Sequence, residues 1–368
     1  MLHTQLHGTH WQIGFQLGAG LARDGHFILD AVPFPITPAR LEFARTCLPL
    51  CRRWFPAALE ELRGLAQGQG CAPDELAGVL FSMYAMPPGP CCSCFALRRG
   101  RGALFGRNSD FLTELEEHNA NCLYRFSDGG YSFVGNTTSF LQMEDGVNQF
   151  GLAAGLTSVP PSPPRPGLNA GLTLRLLLES CRDVPQALAL LRQLPVSSCH
   201  TLVLADRAGR IALAECAPER TQIHCPGETD AFVCSVNSFH LSAMAPFRRQ
   251  TNDDWRAEER YLTLTRSLAA WGPELDLQAG QDLLSGRMGF LCQYDRREGR
   301  TPSGPCSMTR PPAPSCVRRA TPAASPFSQT PGSRFVPDLI RGAALCRSPS
   351  SYYACHFAKY YYFFAKFT

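Results

Sequence analysis

Cys92 opens a short stretch, Cys92-Ser93-Cys94-Phe95-Ala96-Leu97, which an Arg- and Gly-rich turn separates from Gly106-Arg107-Asn108-Ser109-Asp110-Phe111. Two apolar runs flanking such a turn read as a β-hairpin. The hairpin brings a thiol into reach of residues 15 and 18 positions later, Arg107 and Asp110. A thiol attacks as its thiolate, and needs a base, a neighbouring cation or both. Arg107 supplies the cation and Asp110 a carboxylate; the alternative for these two is an ordinary surface ion pair. Cys91 is the rival nucleophile, although the spacing to Asp110 and the following Ser93 favour Cys92. The run 91–94 also has the C-x-x-C spacing of a redox or half-metal site. No second C-x-x-C or H-x3-H partner completes a zinc set. No cofactor and no metal are therefore expected.

The elements that must carry these residues are legible in outline. His10 to Leu21 reads as an amphipathic helix with Thr9 as N-cap. Residues 38–66 are mostly helical, and Asp74 to Met83 suggests another helix. Pro87-Pro88-Gly89-Pro90 stops helix and leaves the next residues extended. After the hairpin, strands are expected at 131–135 and 151–157, and two helices within 172–194 that break near Pro185. A hairpin is expected at 201–205 and 211–216, with Asp206 to Gly209 as its turn. A further strand covers 232–237, and helix returns over 253–287. Helices, then a run of strands, then helices point to an α+β layered sandwich and away from a doubly wound βαβ fold.

Composition narrows the class. The 368 residues are 45% hydrophobic and 18% charged, enough to bury a substantial core. Residues 300–368 hold nine Lys/Arg against one acid, Asp338, whereas residues 1–299 hold 26 bases and 30 acids and no lysine. That body is not a nucleic-acid binder by charge. The N-terminal stretch has neither the basic region nor the apolar run of a secretory signal. No run of about 18 apolar residues suggests a membrane span. Seventeen cysteines are then expected to be mostly reduced, in a cytoplasmic protein, with Cys122, Cys181, Cys216 and Cys234 as small core residues. Beyond Gly299 the pattern collapses into Pro, Ser, Arg and Cys. Two readings stand for 300–368: a disordered tail, or an out-of-frame translation that costs the fold its C-terminal strand.

Five segments, in order, resemble the acyl-coenzyme A:6-aminopenicillanic-acid acyltransferase-like family, relatives of the choloylglycine hydrolases among the N-terminal-nucleophile (Ntn) hydrolases. They are Gly8-Thr9 with Ile13 to Gly18; Cys92 to Phe95 with Gly106 to Phe111; Asp145 to Leu152; Ala205-Asp206 and Gly209 with Glu215; and Val236-Asn237-Ser238-Phe239. The resemblance implies a four-layer αββα sandwich and a precursor that cuts itself before its nucleophilic cysteine. On that reading 1–91 is a helical propeptide or α chain, 92–299 the sandwich core and 300–368 an atypical tail. The freed α-amine of Cys92 would act as base. It titrates near 7.7–8.0 against about 8.5 for a thiol, so proton transfer between them costs little.

The same resemblance implies the roles. Cys92 is the nucleophile, Asp110 orients its amine, Arg107 stabilises charge beside the thiolate, and Asn237 donates to the tetrahedral oxyanion. Asn237 otherwise simply ends a strand. The family's His after this Asn is Ser238 here, and the second oxyanion Asn of the choloylglycine hydrolases is replaced by Thr157, which passes that role to a backbone N–H. Asn148 is read as shaping a turn, and His200, His224 and His240 need no catalytic role. The expected partners are a small-molecule amide or acyl-thioester substrate and the two self-cleaved chains for each other, with no nucleic acid and no membrane. A catalytically silent binding member of the fold is the alternative.

Overall fold

Thr9 begins the first helix by a reciprocal capping box. Its Oγ1 accepts from the Gln12 N–H at 3.2 Å, and the Gln12 side chain accepts from the Thr9 N–H at 2.9 Å. The protein is seen here as a computed structural model that describes residues 2–86, 91–100, 102–110, 119–160, 163–227, 230–248, 255–272, 275–294 and 365–366. The N-terminal part comprises β1 (Leu2–Gly8), α1 (His10–Arg23), α2 (Ile28–Ala31), α3 (Pro38–Trp54), α4 (Pro56–Gln69) and α5 (Pro73–Ser82). Six strands come next: β2 (Cys91–Arg99), β3 (Gly102–Asp110), β4 (Ala120–Phe126), β5 (Phe133–Thr137), β6 (Asp145–Asn148) and β7 (Ala153–Ser158). Then come α6 (Ala170–Ser180), α7 (Val184–Leu191), β8 (His200–Ala205), β9 (Ile211–Ala217), β10 (Arg220–His224), β11 (Phe232–Ser235), α8 (Ala257–Trp271), α9 (Leu277–Leu284) and β12 (Ala365–Lys366).

The strands form two sheets, one of eight in the order β1-β4-β5-β6-β7-β8-β9-β10 and one of four in the order β11-β2-β3-β12. Among the described strands only the β1–β4 pair is parallel. The inner faces meet through Cys94, Ala96 and Phe105 on one side and Val147, Ala153 and Val203 on the other. Outside the large sheet, α6 and α7 bury Leu174, Leu177 and Leu188 against Tyr124, Leu156 and Leu202. Outside the small sheet, α8 and α9 bury Leu264, Leu268 and Leu283 against Phe95, Leu97 and Leu104. The result is an α+β sandwich, as the sequence pattern leads one to expect, with the αββα layers that the family resemblance implies. The sequence carries no sign of β1, β4, β6 or β10, because each is short, polar or lacks alternation. The expectations for the tail lie outside the described residues, apart from Ala365–Lys366, which pair with Leu104 and Phe105.

Residues 1–91 are bound into this architecture in three ways. β1 forms one edge of the large sheet. The helices α3 to α5 share a core with Leu172 and Leu176 of α6. Arg175 of α6, fully buried, reaches the Glu61 carboxylate of α4 with both amino groups at 2.9 and 2.5 Å, and Glu179 at 2.7 Å. Glu179 in turn meets His10 of α1 at 3.0 Å.

Helices α1 and α4 touch backbone to backbone. A Cβ on Gly64 would stand 2.0 Å from the Trp11 carbonyl, and one on Gly14 would stand 2.0 Å from that of Glu61. Glycine is the only residue these positions admit. Gly64→Val should force the pair apart and lower the unfolding free energy by roughly 1–3 kcal/mol, seen as a lower urea midpoint at unchanged slope.

Candidate active site

The β2–β3 register sets the site. Cys92 lies opposite Ser109, Cys94 opposite Arg107, and Cys91 opposite Asp110. Because side chains alternate across a strand, Cys92 faces the large sheet together with Arg107. Cys91, Ser93, Asn108 and Asp110 face α8 and α9. The pleat thus separates the two rival cysteines: the Arg107 guanidinium donates to Cys92 Sγ through Nη2 at 2.8 Å.

Arg107 is held from every side. Nε donates to the Leu156 carbonyl at 2.8 Å, and Nη1 donates to Ser109 Oγ at 2.7 Å and to Asp145 Oδ2 at 3.0 Å. Glu144 Oε2 lies 3.4 Å from both amino groups and accepts from Ser109 Oγ at 2.5 Å. Gly155 of β7 leaves the room: a Cβ there would fall 3.0 Å from Arg107 Cδ and 2.7 Å from the Phe105 ring. Arg107 is therefore no surface ion pair; it is 1% exposed.

The expected oxyanion donor comes in from the other strand. β11 pairs with β2 as far as Ser235 opposite Cys94, so two residues on Asn237 arrives beside Cys92. Its Oδ1 accepts the Cys92 N–H at 2.9 Å, while its Nδ2 donates to the Ser158 carbonyl at 2.6 Å. The same Oδ1 accepts from Arg260 Nη2 at 2.8 Å. Arg260 Nη1 also donates to the Cys92 carbonyl at 2.6 Å and to Ser93 Oγ at 2.9 Å. Both peptide groups of Cys92 are thus gripped by side chains. Thr157 is occupied elsewhere, donating to the Val236 carbonyl at 2.5 Å.

Arg260, Glu144 and Asp145 do not stand out in the sequence. Arg260 lies in a stretch read only as helix, Asp145 opens a segment of the family resemblance with no role assigned to it, and Glu144 precedes that segment. Spacing along the chain carries no signal for any of them. Asn148 does shape a turn, accepting from Phe150 and Leu152 N–H at 3.1 Å, and it also donates to the Leu178 and Cys181 carbonyls at the end of α6. His200 is a buried histidine whose pKa burial lowers to about 4, a core residue by its chemistry. Among the described residues no group of His, Cys, Asp and Glu is arranged to hold a metal ion, and no helix is long and apolar enough to cross a membrane.

The electrostatics describe a thiol at rest. Burial pushes the Cys92 thiol up to about 12; Arg107 opposes this, but Glu144 and Asp110 reinforce it. Burial is the main cause, and the carboxylates near the sulfur offset part of the pull of Arg107. Burial likewise lifts the Asp110 carboxyl to about 7, against the opposing pull of Arg260 and Arg107. Among the described residues neither Asp110 oxygen has a hydrogen-bond partner.

The sequence profile of the acyl-coenzyme A:6-aminopenicillanic acid acyl-transferase family matches residues 97–279. Over that stretch, just under half of its length, the chain is similar to this family. The match contains Arg107, Asp110, Asn237 and Arg260 and begins five residues after Cys92. No curated protein matches the chain. Similar solved structures include a Caenorhabditis elegans ortholog of N-acylethanolamine-hydrolyzing acid amidase, 14% identical over 53% of this chain and 86% of that one, with a TM-score of 0.39. Penicillin V acylase from Agrobacterium tumefaciens is 18% identical over 60% and 75%, with a TM-score of 0.39. A mutant conjugated bile acid hydrolase from Clostridium perfringens is 13% identical over 53% and 78%, with a TM-score of 0.37.

An unpartnered buried carboxyl gives a pH signature. Its pKa is raised in the folded state, so its stabilising contribution is present below about 4 and is lost as pH rises through about 7. In a Cys92→Ala background, where no chemistry at that residue intervenes, Asp110→Asn should raise stability at pH 8 by up to roughly 4 kcal/mol. The gain should shrink toward zero near pH 4, as read from urea unfolding across that range.

Proposed function

We propose that the chain is a self-processing cysteine Ntn hydrolase that cleaves linear amide C–N bonds, or transfers the acyl group, through a thioester on Cys92. The observation that carries this reading is the 2.8 Å contact from Arg107 to Cys92 Sγ at the start of a buried strand, with the Cys92 N–H and C=O both held. In the first reaction Sγ attacks the carbonyl carbon of Cys91, the C–N bond to Cys92 breaks, and the departing nitrogen takes up a proton. The proton lost by the thiol is the one that ends on this nitrogen, and Asp110, on the face of the hairpin opposite Sγ and without a hydrogen-bond partner among the described residues, is the carboxyl that orients the new amine. Water then hydrolyses the thioester, leaving a Cys91 carboxylate and a free Cys92 with an α-amine.

The cut changes the electrostatics. A new ammonium beside Sγ and Asp110 adds the positive charge that Arg107 alone, already neutralised by two carboxylates, does not supply. It stabilises the Asp110 carboxylate, and when neutral it is the base for Sγ. Attack on an external amide repeats the first reaction with the substrate carbonyl in place of that of Cys91. Water as acceptor makes the enzyme a hydrolase, and an amine makes it an acyltransferase. Asn237 keeps its Oδ1 toward the Cys92 nitrogen, and its Nδ2, which donates to the Ser158 carbonyl in the intact chain, is the donor offered to the oxyanion. After the cut, β1, the core that α3 to α5 share with α6 and the Arg175 cluster hold residues 1–91 on the rest. The cysteines, free and mostly buried among the described residues, suit a reducing, cytoplasmic compartment.

The fully buried, strongly protonated thiol favours a second reading, a silent member of the fold. Denaturing electrophoresis separates the two. The self-processing reading expects fragments 1–91 and 92–368 from the wild-type chain and one band from Cys92→Ala. The fragments should co-elute on gel filtration without denaturant. A single intact wild-type band, with no labelling of Cys92 by a thiol reagent, would establish the silent reading instead.

A further inference from the structure

Arg260 can grip the Cys92 strand only if its own base is fixed, and that anchor lies outside the site. Its Nε donates to the Trp255 carbonyl at 2.9 Å. The same carbonyl oxygen accepts from the Tyr294 hydroxyl at 2.8 Å, so both of its lone pairs are used. Between Trp255 and the first turn of α8 stands Arg256, with φ +51°, in the left-handed region that a residue with a side chain rarely adopts. That conformation lets the Trp255 carbonyl face a buried guanidinium in place of water.

The strained turn is braced from the segment around Tyr294. The Tyr294 ring meets Trp255 edge-on, with centroids 5.0 Å apart, and meets Phe290 edge-on at 5.3 Å. The Arg256 guanidinium lies 3.5 Å over the Phe290 ring and also pairs with Glu259. A continuous path therefore runs from Tyr294 Oη through Trp255 O and the Arg260 guanidinium to the Cys92 carbonyl, Ser93 Oγ and Asn237 Oδ1. Arg260 has no carboxylate within ion-pair distance among the described residues, so its placement depends on these neutral acceptors.

We propose that Tyr294 is a positioning residue for the Cys92 chemistry: its hydroxyl locks the Trp255 carbonyl, which sets the direction of Arg260 and through it the Cys92 peptide and the Asn237 amide. This rests on the reading of Cys92 given above. Without the hydroxyl, one lone pair of the carbonyl is vacated, the peptide between Trp255 and Arg256 is free to leave its strained conformation, and Arg260 loses the fixed end of its fork.

Tyr294→Phe in the full-length chain tests this. Self-cleavage should slow about tenfold, the effect of one lost neutral hydrogen bond, with the circular dichroism unchanged. A double-mutant cycle with Arg260→Lys separates positioning from mere packing: if Tyr294 acts through Arg260, Tyr294→Phe should slow Arg260→Lys no further. Additive losses would overturn the proposal, as would unchanged cleavage by Tyr294→Phe. Should the wild-type chain not cleave at all, the functional reading fails, and amide hydrogen exchange still decides this one. Tyr294→Phe should then speed exchange in both 255–260 and 91–94; faster exchange in 255–260 alone would refute the link.

Discussion

The donation from Arg107 to the sulfur of Cys92 constrains more of this molecule than any other contact. A guanidinium so deeply buried needs its charge met and its N–H groups occupied. The large sheet does both, with the Glu144 and Asp145 carboxylates and the Leu156 carbonyl. These partners sit on or beside β6 and β7, so the small sheet can dock on the large one in only one register. Gly155 belongs to the same constraint, because any side chain there would push the guanidinium aside. The inter-sheet core of Ala, Val and Cys is apolar and generic; the arginine makes it specific.

The same device recurs at the other layer boundaries. Arg107, Arg175 and Arg260 are the three largest fully buried side chains among the described residues. Arg107 lies between the sheets, Arg175 between the N-terminal helices and α6, and Arg260 between α8 and the small sheet. Residues 1–299 contain no lysine, and at these three places the packing calls for arginine. Each cation satisfies several acceptors in fixed directions, which a planar guanidinium does and a rotating ammonium does not.

How much of this is legible in the chain alone depends on the range of the interactions. The hairpin that carries Cys92, Arg107 and Asp110 is local: an alternation, a turn and a count of residues define it. Asn237 is readable because it stands at the end of a recognisable apolar strand. The partners that make Arg107 function are not, since Glu144 and Asp145 belong to a short segment whose pairing is decided by its neighbours. Arg260 is hidden for a different reason: on an amphipathic helix one arginine looks like the next, and only packing shows which of them points inward. The choice between Cys91 and Cys92 turns on the pleat, where a shift of one residue exchanges the faces.

On the proposed self-processing, the state of the intact chain confines its chemistry to a single first turnover until the cut is made. Burial and two carboxylates hold the thiol near 12, where almost none is ionised at neutral pH, so intermolecular attack is suppressed. An intramolecular attack on the adjacent carbonyl is helped by proximity, which offsets a large part of that penalty. Once the peptide nitrogen becomes an amine, the local charge shifts by up to one positive unit at the place where Asp110 has no partner. The group that penalised the fold in the intact chain then acquires a counter-ion, and the thiol acquires a base. On that proposal, one bond broken in the backbone converts an electrostatic liability at Asp110 into the arrangement the reaction needs.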